Sequence, residues 1–198
     1  MIRLILRIIL IISTAWKKST VRHLNVGRNS RIYPSAYIST RYNKWGGVKI
    51  GTGCRIGNFP SGYKIGWYRP TRISARSQDA SIHIGDRSRI SGANIYARSS
   101  IEIGPCAEIG SGVIITDFNG HITYSFDRTV GEDMPKPIII GRNVWIGFNS
   151  IILKGSVIGD NSIVGAGSVV SGEFPPYSII KGNPAKIVKI MDPNKFSK

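Results

Sequence analysis

Large aliphatic residues recur at every sixth position over much of the chain, and a glycine often follows them. The pattern is most regular over residues 138–173, where its members are Ile140, Ile146, Ile152, Ile158, Val164 and Val170. An amphipathic α-helix repeats its apolar positions every three or four residues, and a half-buried β-strand repeats them every two. A period of six fits neither, and it indicates units that each contain one short strand and one tight corner.

Three earlier segments have the same period, each in its own phase: Val26, Ile32, Ile38, Ile50 and Ile56; Ile84 and Ile90; and Ile103, Ile109 and Ile115. A small residue often stands four places after the aliphatic one, and we expect the glycine to accept the backbone angles of the corner. Stacked units bury a continuous apolar column that no single unit could bury alone. The pattern therefore predicts an all-β parallel solenoid with three flat faces over residues 25–190, followed by a tail over residues 191–198.

The period is interrupted at two places. Residues 57–83 lose the phase in a stretch with aromatic and basic side chains, so we expect an irregular or extruded coil there. Residues 116–139 also lack the repeat, and an insertion of this length in a compact solenoid is more often functional than idle. This second insertion contains His121, one of three histidines in the chain.

The N-terminal segment is strongly apolar but includes Arg3 and Arg7. Its uninterrupted apolar run, residues 8–12, is much shorter than the roughly 20 residues of a membrane-spanning helix. We interpret residues 1–24 as an amphipathic segment in which residues 1–18 form a helix that lies on a membrane surface. The alternatives are a helix packed against the end of the protein or between subunits, and a cleaved or spanning segment.

Residues 26–189 resemble the hexapeptide-repeat acyltransferases, which are built on a left-handed parallel β-helix. The resemblance rests on the motifs NVWIG, GAGSVV, PPYS and GNPAK, which occur in this order between residues 143 and 186. It is strongest over residues 136–189, which are similar to bacterial polysaccharide and galactoside O-acetyltransferases. It implies acetyl-CoA as co-substrate, a homotrimer with its active site between neighbouring subunits, and transfer of an acetyl group to a saccharide hydroxyl.

The resemblance implies that His121 is catalytic. Galactoside acetyltransferases carry their catalytic histidine on the same kind of insertion, at the same distance before the tryptophan that corresponds to Trp145. An imidazole can remove the proton of an attacking hydroxyl near neutral pH and pass it to the departing thiolate. Asp117 could accept a hydrogen bond from the other ring nitrogen and fix the tautomer. A backbone carbonyl could do the same, and an aspartate in a turn often caps backbone amides instead.

A second group of residues is implied to contact the cofactor. Trp145 and Phe148 are expected to point outward, where pantetheine or a neighbouring subunit would cover their apolar area. Small residues of the GAGS motif let pantetheine approach the backbone, and two lysines on one face of a short helix within residues 175–190 meet the phosphates. The expected cofactor contacts are Trp145, Phe148, Gly165, Ala166, Ser168, Ser171, Lys186 and Lys189, with Ser171-Gly172 where the family commonly has Thr-Lys.

The chain carries a net charge of +16, from 27 Lys or Arg and 11 Asp or Glu. The excess is N-terminal, because residues 1–78 contain fifteen basic and no acidic side chains. Such a field favours an anionic acceptor, for example a capsular polysaccharide such as polysialic acid, or a lipid-linked sugar at an anionic membrane. No basic-aromatic recognition motif supports nucleic-acid binding.

The histidines do not predict a metal site. A zinc enzyme on this scaffold needs three converging histidines, whereas His23 and His83 are expected at the surface. Two cysteines, Cys54 and Cys106, suit a reducing compartment. We therefore expect a metal-independent O-acetyltransferase of bacterial cell-surface saccharides, cytoplasmic and peripheral on the inner membrane. The alternatives are an N-acetyltransferase of an amino sugar and a non-catalytic solenoid that binds glycan or membrane.

Overall fold

The structure is a computed structural model that describes residues 2–57 and 69–196. One α-helix, α1 (Ile2–Thr20), precedes a stack of short parallel strands. No helix in the described ranges is both long enough and apolar enough to cross a membrane. The strands form three sheets, which are the three faces of a parallel β-helix. This arrangement confirms the fold predicted from the six-residue period.

Each sheet takes one strand from every coil. The first sheet contains β1 (Leu24–Val26), β4 (Gly47–Ile50), β7 (Ser81–Ile84), β10 (Ser100–Ile103), β13 (Ile138–Ile140), β16 (Val157–Ile158) and β19 (Glu173–Phe174). The second sheet contains β2 (Arg31–Ile32), β5 (Arg55–Ile56), β8 (Arg89–Ile90), β11 (Glu108–Ile109), β14 (Trp145–Ile146), β17 (Ile163–Val164), β20 (Ser178–Gly182) and β21 (Ala185–Ile190). The third sheet contains β3 (Tyr37–Ser39), β6 (Arg72–Ala75), β9 (Asn94–Ala97), β12 (Ile114–Thr116), β15 (Ile151–Ile152) and β18 (Val169–Val170).

The aliphatic residues of the repeat fill the interior as columns, one behind each sheet. Behind the first sheet, Ile84 stands in register with Ile103, and Ile103 stands in register with Ile140. All three side chains are at most 2% exposed. Burying one such side chain is worth roughly 1.5–3 kcal/mol, so each coil adds its own stabilising layer.

The glycines that follow these aliphatic residues allow neighbouring coils to stack closely. The expectation that they adopt unusual backbone angles is wrong at several corners. A Cβ atom on Gly104 would lie 2.6 Å from the carbonyl carbon of Gly141, at the equivalent corner of the next coil. Neither glycine has a positive φ. The left-handed backbone conformation occurs two residues later instead, at Cys106 and Asn143.

Helix α1 packs one side against the first end of the coil. The hydroxyl of Thr14 accepts the backbone N–H of Ile32 at 2.9 Å, and Leu10 is buried. Burial also lowers the pKa of Lys17. The helix therefore adopts the packed arrangement on this side, and its other side exposes Leu4, Ile5, Ile8, Ile9, Ile11, Ile12 and Trp16.

The C-terminal helix expected within residues 175–190 is wrong, because β21 forms there and pairs antiparallel with β20. Strand β20 is the last parallel strand of the second sheet, so its free edge offers unpaired backbone groups that the returning chain satisfies. A 3₁₀ turn (Pro193–Lys195) lies in the tail, where Phe196 contacts the ring of Tyr177 with centroids 5.3 Å apart.

The irregular coil expected over residues 57–83 is wrong from β6 onward, because β6 and β7 are regular strands with buried isoleucines. The corner between them is longer than the six-residue repeat allows, which hides their phase in the sequence. The side-chain amide of Asn43 holds this corner by donating to the carbonyls of Ser77 and Ala80, at 2.9 and 2.8 Å. Residues 58–68 of this prediction lie outside the described residues.

Candidate active site

The insertion runs from β12 to β13, and its first residue fixes it to the coil. The carboxylate of Asp117 is buried and accepts the backbone N–H groups of Arg98 at 2.8 Å and Ser99 at 2.7 Å. Burial raises the pKa of Asp117, and the hydrogen bonds from these amides oppose that shift only in part. The backbone carbonyl of Asp117 also accepts the N–H of Lys136, at 2.8 Å, which joins the two ends of the insertion.

Two ion pairs hold the second half of the insertion. Lys154 pairs with Asp133, and this hydrogen bond lowers the pKa of the aspartate. Arg98 pairs with Glu132, and its guanidinium lies over the ring of Phe118, 5.2 Å from the ring centroid. The insertion is therefore fastened at two places on the coil, directly after β9 and shortly after β15.

The ring of His121 is exposed and is oriented within the insertion itself. Its Nδ1 lies 2.6 Å from the backbone carbonyl oxygen of Arg128. A carbonyl oxygen only accepts, so Nδ1 is the donor, and in the neutral ring the lone pair is therefore on Nε2. Of the alternatives that the sequence left open, the structure has the backbone carbonyl, that of Arg128, as the partner of the His121 ring. Asp117 caps backbone amides instead and does not contact His121, because its two carboxylate oxygens accept the N–H groups of Arg98 and Ser99.

The tip of the insertion exposes large apolar side chains. Tyr124 is 96% exposed, Phe126 fully so, and Val130 and Met134 are also largely exposed. Tyr124 and Phe126 line an open hollow of about 480 Å³ together with Arg128. Exposed aromatic residues grouped in this way indicate a surface that another molecule covers.

Trp145 lies on the outer surface of the second sheet. Its neighbours in register are Glu108 on β11 and Ile163 on β17. The row continues through Ile179 to Lys189. Phe148 is 37% exposed at the following corner. Both aromatic residues therefore point outward, as the sequence predicts.

The GAGS corner follows β17, on the same edge of the second sheet as Phe148. Ala166 is exposed there, and the side chain of Lys181 lies over Gly165. Ser168 is not available to a ligand, which corrects its expected role as a cofactor contact. Its hydroxyl is buried, donates to the carbonyl of Gly165 at 2.6 Å and accepts the N–H of Gly182 at 3.2 Å.

The two predicted lysines share one face for a reason that the sequence does not reveal. Lys186 pairs with Lys181 and Lys189 pairs with Ile179, with a β-bulge in β21 between them. In a regular strand two residues three positions apart point to opposite faces, and the extra residue of the bulge brings both lysines to the same face. Lys181 joins them on this face, and it is absent from the contacts predicted from the sequence. Its place directly after the inward Ile180 is the signal that could have found it.

The site residues fall into two separate groups. Ser171 lies at the corner between the third and first sheets, from which the insertion with His121 also leaves. The other expected cofactor contacts lie on the second sheet and its edge: Trp145, Phe148, Gly165, Ala166, Lys186 and Lys189. In a three-sided coil this face is opposite that corner, so the two groups of candidate residues are far apart on one chain. The described residues contain no group of three or more His, Cys, Asp or Glu side chains placed to hold a metal ion.

Comparisons with known proteins show what this chain is similar to. A family model for the bacterial transferase hexapeptide (six repeats) matches residues 137–172. Protein CapG of Staphylococcus aureus is 48% identical over 92 residues, which cover 46% of this chain and 54% of CapG. The chain spans between 26% and 54% of the length of the curated relatives that it matches.

Two solved structures are similar in both fold and sequence. A galactoside acetyltransferase in complex with coenzyme A is 33% identical, with a TM-score of 0.54 over 57% of this chain and 56% of that chain. The hexapeptide-repeat acetyltransferase VCA0836 of Vibrio cholerae, in complex with acetyl-CoA, is 25% identical, with a TM-score of 0.59 over 90% of this chain and 76% of that chain. The fold is the left-handed parallel β-helix of these enzymes.

Proposed function

We propose that this chain, like the hexapeptide-repeat acetyltransferases that it resembles, transfers an acetyl group from acetyl-CoA, in this case to a hydroxyl of a cell-surface saccharide. The hydrogen bond from His121 to the Arg128 carbonyl carries this proposal, since it leaves Nε2 free to act as the general base. Nε2 takes the hydroxyl proton as the oxygen bonds to the thioester carbonyl carbon. The carbon–sulfur bond then breaks, and the proton passes to the thiolate, giving an acetyl ester and free coenzyme A.

The second sheet supplies the binding surface for acetyl-CoA in this proposal. Trp145 and Phe148 cover the apolar part of pantetheine, and the exposed Ala166 corner lets it approach the backbone. Lys181, Lys186 and Lys189 share one face and meet the phosphates as point charges. The relatives solved with coenzyme A or acetyl-CoA support this assignment.

The complete site requires two copies of the chain. His121 leaves from the corner opposite the sheet that carries Trp145, so the histidine of one copy serves the second sheet of its neighbour. Exposed aromatic residues at the tip of the insertion supply the contact. A cyclic homotrimer closes this head-to-tail arrangement with three equal sites.

Mixing inactive subunits tests the shared site. His121→Ala and Trp145→Ala chains are purified separately, unfolded together and refolded as mixed oligomers, and acetyl transfer to saccharides is followed by release of coenzyme A. A site shared between copies restores activity in the mixture, because some interfaces pair two intact halves. Mixed oligomers that stay as inactive as each parent contradict the shared site, and no transfer by wild-type protein to any saccharide contradicts the activity.

The chemical linkage of the product separates a hydroxyl acceptor from an amino sugar. An ester is cleaved by mild base, whereas an amide is not. We expect a base-labile product, because an unprotonated amine attacks without a strong base and has less need of the His121 arrangement. A base-stable product assigns the enzyme to N-acetylation instead.

Helix α1 is proposed to place the enzyme on the cytoplasmic surface of an anionic membrane. Its exposed face combines aliphatic residues with Trp16, next to the basic Lys18. Ile8→Glu with Ile12→Glu leaves the contacts of Leu10 and Thr14 intact, and we expect it to abolish sedimentation with anionic vesicles. The control, Val188→Glu with Ile190→Glu, makes the same change at the other end of the molecule. Equal sedimentation of both variants contradicts the proposal.

A further inference from the structure

The outer surface of the third sheet contains a hollow in its N-terminal half. Tyr37 and Ser39 of β3 are in register with Arg72 and Ser74 of β6, and all four point outward. The two serines are shorter than the side chains around them, which leaves a depression of about 250 Å³. We call this hollow the arginine–tyrosine groove.

The groove is positively charged and has aromatic walls. Arg41, Arg72 and Arg76 line it together with tyrosines, and none of its described lining residues is acidic. Arg41 lies 5.9 Å from the ring centroid of Tyr42, and Arg76 lies 5.8 Å from that of Tyr96. Within the described ranges none of the three arginines forms an ion pair. Three close cations without a counter-charge repel one another until an anion binds.

The groove leads to the base of the catalytic insertion. Tyr96, on its wall, is in register with Thr116 on the neighbouring strand, about 4.8 Å away across the sheet. Thr116 is followed directly by Asp117, where the insertion begins. A ligand in the groove therefore lies on the same chain and the same face as the base of the insertion that carries His121.

We propose that the arginine–tyrosine groove binds one oxyanion-bearing sugar unit of the acceptor, so that the enzyme selects anionic saccharides. This inference rests on the proposed function and specifies its substrate class. Guanidinium groups match carboxylate or phosphate oxygens with paired hydrogen bonds, and tyrosine rings cover the apolar faces of a sugar. The volume is below the roughly 300–1,000 Å³ typical of sites for whole ligands, which suits one unit of a longer chain.

Calorimetric binding without acetyl-CoA tests the groove separately from catalysis. The probes are a sialic acid oligomer, the same oligomer with its carboxylates reduced to alcohols, and a sugar 1-phosphate. We expect the sialic acid oligomer to bind, the reduced oligomer to bind at least tenfold more weakly, and Arg72→Gln with Arg76→Gln to remove that preference. Tight binding of only the sugar 1-phosphate assigns the oxyanion to a phosphate.

Arg31→Gln with Arg55→Gln is the matched control, since it removes the same charge from the same coils on the second sheet. If both double variants weaken binding of the sialic acid oligomer equally, the groove proposal is wrong, and the oligomer is attracted by the overall positive charge of these coils. Equal affinity of wild type for the charged and reduced oligomers, with no binding of the phosphate, also overturns it. Tyr37→Ala adds a second variant, expected to weaken both oligomers alike.

The two proposals fail in different ways. If Arg72→Gln with Arg76→Gln does not change acetyl transfer, the proposed activity stands and the groove proposal is wrong. If binding of the sialic acid oligomer depends on the two arginines but the protein transfers no acetyl group, the groove proposal stands and the proposed activity is wrong.

Discussion

The coils before residue 116 and the coils after residue 138 share one interior and differ in their exteriors. Both halves bury columns of isoleucine and valine in unbroken register. On the outer surface of the second sheet, the early half aligns Arg31, Arg55 and Arg89, followed by Glu108. The late half continues the same row with Trp145 and Ile163. The interior therefore maintains the coil, and each half is free to carry its own chemistry outside.

We interpret this difference as a division of labour, in which the two halves of the coil bind different substrates. The late half contains the residues that the family model matches, and it carries the surface proposed for acetyl-CoA. The early half carries the excess positive charge and the arginine–tyrosine groove, which suit a particular acceptor. In the proposed mechanism, the insertion between the halves, with His121, brings the two substrates together.

The largest effect is expected where the halves meet. His121→Ala removes the proposed general base, and general bases contribute about 100- to 10,000-fold to a rate. Acetyl transfer should fall by this amount while the circular dichroism spectrum is unchanged, because the ring is exposed. His83→Ala is the control, since His83 lies on the first sheet and pairs with Glu102. A His121 variant within a few-fold of wild type excludes the histidine as the base.

The shared interior is tested by equal truncations in the two halves. Ile84→Ala and Ile140→Ala remove side chains of the same column that are both at most 1% exposed. Each should lower the free energy of unfolding by about 2–5 kcal/mol in urea denaturation, because each leaves a cavity. A much smaller loss for one of them shows that its half of the interior is less tightly packed than the other.

The cofactor surface is tested by removing two charges from the late half. Lys186→Gln with Lys189→Gln should raise the KM for acetyl-CoA about tenfold and leave kcat nearly unchanged, since phosphate contacts bind ground and transition states alike. Lys44→Gln with Lys49→Gln removes the same charge from the early half and should leave that KM unchanged. A similar increase in both variants breaks the proposed division of labour.

The smallest effect concerns the anchor of the insertion. Burial raises the pKa of Asp117 above its ordinary value, so the folded protein binds this proton more readily than the unfolded chain. As pH rises from the ordinary carboxyl pKa through the raised one, the folded state loses stability relative to the unfolded state. The stability difference between wild type and Asp117→Asn, measured by urea denaturation at several pH values, should therefore favour wild type more at the acidic end. A difference that is constant with pH contradicts the raised pKa.

Much of the fold could be predicted because the interior obeys a local rule. The six-residue spacing alone predicts that Ile146 and its equivalents point inward, because each coil contacts only its neighbours. The sequence predicts Lys186 and Lys189 on a helix, whereas they lie on the bulged strand β21. Both elements can present the two lysines on one face, so their spacing does not distinguish between them. The sequence offers no sign of the bulge, which depends on the free edge of β20.

The candidate site was less accessible because it depends on contacts between distant segments. The partner of the His121 ring is a backbone carbonyl, which every residue carries, so no side-chain pattern identifies Arg128. The arginine–tyrosine groove joins Ser39 and Ser74 across an interruption of the repeat. Their register follows only from the path of the chain through that interruption.

The two ends of the coil are closed by different means. An open parallel coil presents unpaired backbone groups at its first and last turns, and a second molecule could continue the ladder there. Helix α1, held by Thr14, covers the first turn, and the antiparallel β21 covers the last strand of the second sheet. These two elements therefore occupy positions at which the coil of a second molecule could otherwise stack.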